Sequence, residues 1–213
     1  SAKMSKSKKN IVDPVNIIQT YGADTARLFM LSDSPPERNL DWSNSGIEGS
    51  KKFINRIWSY FNKLDMNYLK TNVSSDNKDP DALNLKKKLN GCIFKVTKCL
   101  NSFQYNVAVA NLREFSNYFI NITEIQNNKE FNSVLYEALS NWVIMISPMM
   151  PHLAEELWKI LGYTDLVANQ NWPKFNSELL EEAKINLIVQ INGKKKLVLV
   201  VKKGLTQHQT EQL

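Results

Sequence analysis

The region from residue 45 to residue 162 carries five consecutive segments in which apolar residues recur every three to four positions. This spacing is typical of α-helices that bury one face. The segments are joined mostly by short connections, which favour antiparallel packing of successive helices. The sequence therefore predicts a mainly α fold built around an antiparallel helical bundle.

Capping residues and prolines set the predicted helix ends. The first bundle helix opens on the capping box Ser45-Gly46-Ile47-Glu48. Its predicted apolar face comprises Ile47, Ile54, Ile57, Trp58, Phe61 and Leu64. The second follows Asp79-Pro80, with Leu85, Leu89, Cys92, Val96, Cys99 and Phe103 on its apolar side. The remaining three start near Asn106, Lys129 and Pro151.

The bundle is flanked by two different kinds of segment. Before it, Asp13-Pro14 opens a short helix that ends at Tyr21-Gly22, and a second short helix precedes Pro35-Pro36. After it, β-branched runs on both sides of Asn192-Gly193 predict a β-hairpin whose turn is lengthened or bulged by Lys194 to Lys196. Residues 206–209 offer a cap for one more helix, so we expect a short C-terminal α+β piece.

Composition limits the classes of function. The net charge is +6, with lysines in clusters, and such clusters attract polyanions through a salt-sensitive, sequence-independent term. No apolar run is long enough to span a bilayer and no signal region precedes the first motif, so we expect a cytoplasmic protein with no membrane partner. Two cysteines and two histidines give no metal constellation, and Cys92 and Cys99 are predicted to be reduced core residues.

The segment Lys3-Met4-Ser5-Lys6-Ser7 is the strongest candidate for chemistry. Two ammonium groups three residues apart on a loop can neutralise a polyphosphate, and the hydroxyl and backbone N–H groups between them can donate hydrogen bonds to its oxygens. The competing interpretation is a solvated basic terminus.

These residues carry a resemblance. KMSKS resembles the second signature loop of class I aminoacyl-tRNA synthetases, and the downstream residues 10–14 and 21–27 resemble their leucyl, isoleucyl, valyl and methionyl group. The run from Pro35 to Trp42, followed by Ser43 and Gly46-Ile47-Glu48-Gly49, is similar to the bacterial leucyl branch. The Pro148–Trp158 segment also resembles the last bundle helix of the family's anticodon-binding domain.

The resemblance implies roles for particular residues. Lys3 and Lys6 are the expected catalytic residues, and with Met4, Ser5 and Ser7 they would bind ATP, with Mg²⁺, on its pyrophosphate side. The bundle would dock tRNA(Leu), mainly through phosphate and sugar contacts. On the first bundle helix Lys52 and Arg56 could contact RNA, or form a solvated face over the core stripe. The hairpin lysines Lys194, Lys195 and Lys196 are the second candidate tRNA contact, although the leucyl branch usually has arginine where Lys196 stands.

The resemblance also implies an organisation and a reaction. We expect the loop and its connecting helices at 1–42, the bundle at 43–178 and the start of a C-terminal tRNA-binding domain at 183–213. The reaction would be ATP-dependent activation of leucine and its transfer to tRNA. The HIGH motif, leucine pocket and editing domain would lie before Ser1, so we expect a fragment of a longer protein, monomeric and inactive on its own.

Two alternatives stay open at this point. The chain could come from an isoleucyl or valyl enzyme of the same class, or it could be a non-catalytic helical RNA-binding module. His152, which precedes two glutamates, is predicted to be a hydrogen-bonded residue at a helix start and not a catalytic one, because no partner set for nucleophilic catalysis can be assembled around it.

Overall fold

The computed structural model describes residues 4–70, 79–122, 128–180, 184–191 and 194–202. Four features of the sequence therefore lie outside the described residues: Lys3, the polar segment 71–78, the Asn192-Gly193 turn and the cap at 206–209. Within the described ranges the predicted mainly α fold with a C-terminal β-hairpin is confirmed.

Eight α-helices and two strands make up the described chain. The helices are α1 (Pro14–Tyr21), α2 (Ala23–Asp33), α3 (Asn44–Phe61), α4 (Met66–Leu69), α5 (Pro80–Asn101), α6 (Tyr105–Ile120), α7 (Lys129–Ile146) and α8 (Pro151–Ile160). The strands are β1 (Lys184–Ile191) and β2 (Lys194–Lys202). Short 3₁₀ turns cover Lys6–Lys8, Val167–Asn169 and Ser177–Leu179.

The five predicted bundle helices are α3, α5, α6, α7 and α8. Helix α5 packs against α6 and α7, while α2 crosses the bundle and contacts α3 and α6. The core is centred on the fully buried Trp142, whose ring lies 5.2 Å from that of Phe119 and 6.3 Å from that of Phe61. Its indole N–H donates to the carbonyl of Leu112 at 3.1 Å, so the largest core residue has no unpaired polar atom.

The start of α3 differs from the prediction. The helix begins at Asn44, and the N-cap is Ser43, whose Oγ accepts the N–H of Gly46 at 2.9 Å. Ser45 therefore lies inside the first turn. On this helix Phe53 is buried, while Trp58, predicted to be in the core, is 41% exposed.

The end of α5 also differs. The sequence predicts Phe103 on the buried side, but the helix ends at Asn101 and the Phe103 side chain is 63% exposed. Phe103 has φ +57°, and the next N–H, from Gln104, returns to the carbonyl of Cys99 at 2.8 Å. This is the left-handed closure that terminates many helices, here formed without glycine.

The two strands form an antiparallel hairpin. The register shifts between Val189 and Gln190, which face Leu197 and Lys195, so Lys196 is the extra residue of a bulge. This confirms the expectation that the lysine run disturbs regular pairing near the turn. The backbone of neither strand comes close to the backbone of a described helix.

Both cysteines are buried and free, as predicted. Burial raises the pKa of the Cys92 thiol to about 12, with Lys95 lowering it and Glu114 raising it by smaller amounts. None of the helices in the described ranges is long and apolar enough to cross a membrane.

Candidate functional site

The N-terminal loop is held by hydrogen bonds close in sequence. The N–H of Lys8 lies 3.1 Å from the Ser5 carbonyl and 3.3 Å from the Ser5 hydroxyl. The N–H of Ser5 donates to Oδ1 of Asn10 at 2.9 Å. Lys9 follows in the left-handed region, with φ +52°. These contacts close the loop into a compact turn that positions the backbone of Lys6 and Ser7.

The predicted ATP-binding residues are only partly described. Lys3 lies outside the described residues, and for Lys6 the backbone position in the 3₁₀ turn is described but the side chain is not. Met4 is 42% exposed and Ser7 is exposed. The hydroxyls of Ser5 and Ser7 lie 3.1 Å apart, so the structure brings these two predicted phosphate donors together.

The connecting helices link this loop to the bundle. Asp13 caps α1 by accepting the N–H of Val15 at 3.0 Å, and Nζ of Lys51 on α3 donates to the Tyr21 carbonyl at 3.0 Å. No residue of α1 is buried within the described chain. Its apolar residues Val15 and Ile18 are 58% and 47% exposed, so these two side chains of α1 are largely open to solvent.

Helix α2 is fixed to the turn between α7 and α8. Arg27 donates to the carbonyls of Met149 at 3.1 Å and Pro148 at 2.7 Å. Asp24 accepts the backbone N–H of Leu153 at 2.6 Å and lies 2.9 Å from Nδ1 of His152. His152 is therefore a hydrogen-bonded residue at a helix start, as predicted. The orientation of the loop is thus tied to the end of the bundle through α1 and α2.

The predicted basic face of α3 is exposed. Lys52 and Arg56 both reach solvent, and Nη2 of Arg56 donates to Oδ1 of Asn117 on α6. Near this face lies a residue that the sequence did not predict: the guanidinium carbon of Arg113 on α6 is 4.9 Å from the centroid of the Phe53 ring. In the sequence, Arg113 is marked only by being the single arginine of a helix that carries few charges.

The hairpin lysines form the other predicted contact. Lys196, at the bulge, is exposed. For Lys194 and Lys195 the structure describes the backbone but not the side chain. The backbones of the hairpin and of α3 do not come close to each other, so the two predicted basic sets lie on different elements of the described chain.

Comparisons with protein families give two matches. Residues 83–211 match the family described as the anticodon-binding domain of tRNA ligase. Residues 1–43 match the family described as class I tRNA synthetases for isoleucine, leucine, methionine and valine. The first match covers more than half of the chain.

Curated relatives carry one name. A leucine–tRNA ligase from Bradyrhizobium diazoefficiens is 43% identical over 197 residues, which is 91% of this chain and 22% of the relative. Those from Paramagnetospirillum magneticum and Ehrlichia ruminantium are 41% and 40% identical over 100% and 90% of the chain. The chain thus spans about a quarter or less of the length of the relatives it matches.

A solved structure is similar over nearly the whole chain. It is the leucyl-tRNA synthetase agnB2 of Agrobacterium radiobacter K84, crystallised in a ternary complex with tRNA and LeuAMS. It is 28% identical to this chain, with a TM-score of 0.76, and the match covers 99% of this chain and 27% of the other. The likeness extends over both the helical bundle and the flanking segments.

Proposed function

The chain belongs to the anticodon-binding domain family of tRNA ligases, and on this premise we propose that it is the KMSKS-loop and tRNA-docking part of a leucine–tRNA ligase. The reaction of the whole enzyme would be the activation of leucine with ATP and its transfer to tRNA(Leu). The observation that carries the proposal is identity of about 40% to leucine–tRNA ligases along 90% or more of the chain. This similarity favours the leucyl over the isoleucyl and valyl alternatives.

In this proposal the N-terminal loop acts on ATP, which carries Mg²⁺. Lys6, assisted by Lys3, neutralises the charge that moves onto pyrophosphate as leucine attacks the α-phosphate. Ser5, Ser7 and the backbone at Met4 orient the loop and supply neutral hydrogen bonds. The mutual contact of the two serine hydroxyls supports this role, because both could turn from each other to one phosphate.

We assign tRNA docking to the bundle and the hairpin. Lys52 and Arg56 on α3 and Lys194, Lys195 and Lys196 at the hairpin bind backbone phosphates in this proposal. Its support is the exposure of Lys52, Arg56 and Lys196, and the tRNA present in the complex of the similar synthetase. Phosphate contacts position the RNA, whereas base contacts would be needed to read its sequence.

We propose that the chain has the three parts expected from its sequence. Residues 1–42 carry the catalytic loop and its connecting helices, 43–178 the docking bundle, and 183–213 the beginning of a C-terminal tRNA-binding domain. The complete enzyme would act in the cytoplasm as a monomer, and the chain alone would not activate leucine.

Amino-acid-dependent pyrophosphate exchange by the full-length enzyme tests this function. Leucine, isoleucine, valine and methionine are supplied in turn, with ATP and labelled pyrophosphate. Exchange with leucine alone is the expected result. Exchange with isoleucine or valine would identify another branch of the class, and no exchange with any of the four would favour a non-catalytic RNA-binding module.

A further inference from the structure

The guanidinium groups of two arginines lie near one phenylalanine ring between α3 and α6. The guanidinium carbons of Arg113 and Arg56 lie 4.9 Å and 5.9 Å from the centroid of the Phe53 ring. Phe53 is buried, so its ring is a fixed support, and Asn117 holds one nitrogen of Arg56 by a hydrogen bond. Both cationic groups are therefore positioned by side chains of the bundle and not by solvent.

Arg113 lacks the partners that a partly buried arginine normally has. Its Nε and Nη2 atoms are enclosed without a hydrogen-bond acceptor, and no carboxylate of the described chain is ion-paired with either arginine. Burial, and next the positive charge of Arg56, lower the pKa of Arg113. Two like charges close together are unfavourable in the free chain, and an anion bound beside them would relieve that repulsion.

We infer that Arg56 and Arg113 together bind one phosphodiester group of the docked tRNA. The inference rests on the proposed function and adds Arg113, which sequence reasoning had not selected, to the RNA-binding residues. A guanidinium presents several N–H donors in a plane, and two of them on one phosphate give both charge neutralisation and a fixed approach direction. Phe53 sets the plane of the pair and Asn117 sets the orientation of Arg56.

The substitution Arg113→Met in the full-length enzyme tests the pair. Methionine keeps an unbranched apolar side chain over Phe53, removes one charge and leaves no enclosed N–H group. We expect tRNA(Leu) to bind about tenfold more weakly near 0.1 M salt, and the slope of log K against log salt concentration to fall by about one. Thermal stability should be unchanged or higher, which a purely structural role for Arg113 does not predict.

Lys159→Met is the matched control. It also removes one positive charge, but Lys159 is already paired with Glu156 at 2.8 Å on α8, so affinity and salt slope should stay as in the unmodified enzyme. Arg113→Lys should keep the slope but lose part of the affinity, because a lysine cannot present the planar fork. Arg113→Gln provides a second charge-removing variant if the methionine variant does not fold.

The outcomes separate this inference from the function on which it rests. If the unmodified enzyme does not bind tRNA(Leu), the proposed function itself fails. If it binds, and the folded Arg113 variants bind with unchanged affinity and unchanged slope, the two-arginine site is overturned while the function stands.

Discussion

The carboxylate of Asp24 on α2 lies 2.9 Å from the imidazole Nδ1 of His152, which is in the first turn of α8. Its other oxygen accepts the N–H of Leu153, so Asp24 supplies the cap that the N-cap residue of α8, Met150, cannot provide. A buried carboxylate from one helix thus satisfies the amino end of another. Since α2 leads back to the KMSKS loop through α1, this contact links the loop to the end of the bundle.

Replacing Asp24 should destabilise the fold. Asp24→Ala removes the cap and leaves the enclosed N–H of Leu153 without a partner, so we expect the free energy of unfolding to fall by about 1–3 kcal/mol. Urea denaturation measures it. Two variants serve as controls. Asp13→Ala removes the exposed cap of α1 and should lower the free energy of unfolding by about 1 kcal/mol or less. His152→Ala should change stability little, since that side chain is 77% exposed, and an equal loss there would contradict the capping role.

Most of the fold follows from local pattern, but the contacts that orient its parts do not. The five bundle helices and the hairpin were predictable because helical and strand periodicities are properties of short segments. Asp24 and Leu153 are 129 residues apart, and no local signal marks their contact. In the same way Arg113 is unremarkable in its own helix, and only the packing of α6 on α3 places its guanidinium group near the Phe53 ring.

The errors at helix ends have physical causes of the same kind. Ser45 and Glu48 form a valid capping box in sequence, but the chain enters α3 from Trp42, whose ring packs edge-on against Phe29 at 5.2 Å. Ser43, the residue that follows Trp42, is the N-cap. Phe103 continues the apolar spacing of α5, yet the chain must turn there to reach α6, and the left-handed closure leaves its side chain in solvent.

The proposed role of Lys6 predicts a selective kinetic defect. In the full-length enzyme Lys6→Ala should lower the rate of leucyl-adenylate formation by about 10²-fold, because one charge that stabilises the departing pyrophosphate is lost. Leucine binding should change much less. Pyrophosphate exchange and equilibrium leucine binding measure the two effects separately. Lys8→Ala, a neighbouring exposed lysine outside the pentapeptide, is the control, and an adenylation rate in Lys6→Ala equal to the control would remove the assignment.

The two basic surfaces should contribute independently to tRNA binding. Lys52→Gln on α3 and Lys196→Gln at the hairpin bulge each remove one phosphate contact, so each should reduce the salt slope of tRNA(Leu) affinity by about one. Because the backbones of the hairpin and of α3 do not come close to each other, the double variant should show the sum of the two free-energy changes. Filter binding over a salt series measures this. An unchanged slope for either variant would remove that residue from the proposed set.

Cys92 predicts a loss of stability at alkaline pH. Its pKa is about 12 in the folded protein against an ordinary value of 9.0, so between these values the unfolded chain releases a proton that the folded chain keeps. The stabilisation is complete below pH 9 and decreases as the pH rises, by about 1.4 kcal/mol per pH unit. Subtracting the pH profile of Cys92→Ala from that of the unmodified protein isolates this term. Parallel profiles from pH 8 to pH 11 would show that the thiol titrates normally.

The buried indole of Trp142 predicts how the bundle core responds to truncation. Trp142→Phe keeps an aromatic ring against Phe61 and Phe119 but leaves the Leu112 carbonyl without its donor, so a loss of about 1–3 kcal/mol is expected. Trp142→Ala also opens a cavity where three helices meet, which should raise the loss to about 3–5 kcal/mol. Trp58→Ala is the matched control, because that indole is 41% exposed. Urea denaturation should show the largest loss for Trp142→Ala, a smaller loss for Trp142→Phe and the smallest for Trp58→Ala. A cost for Trp58→Ala as large as that for Trp142→Ala would place the core of the bundle elsewhere.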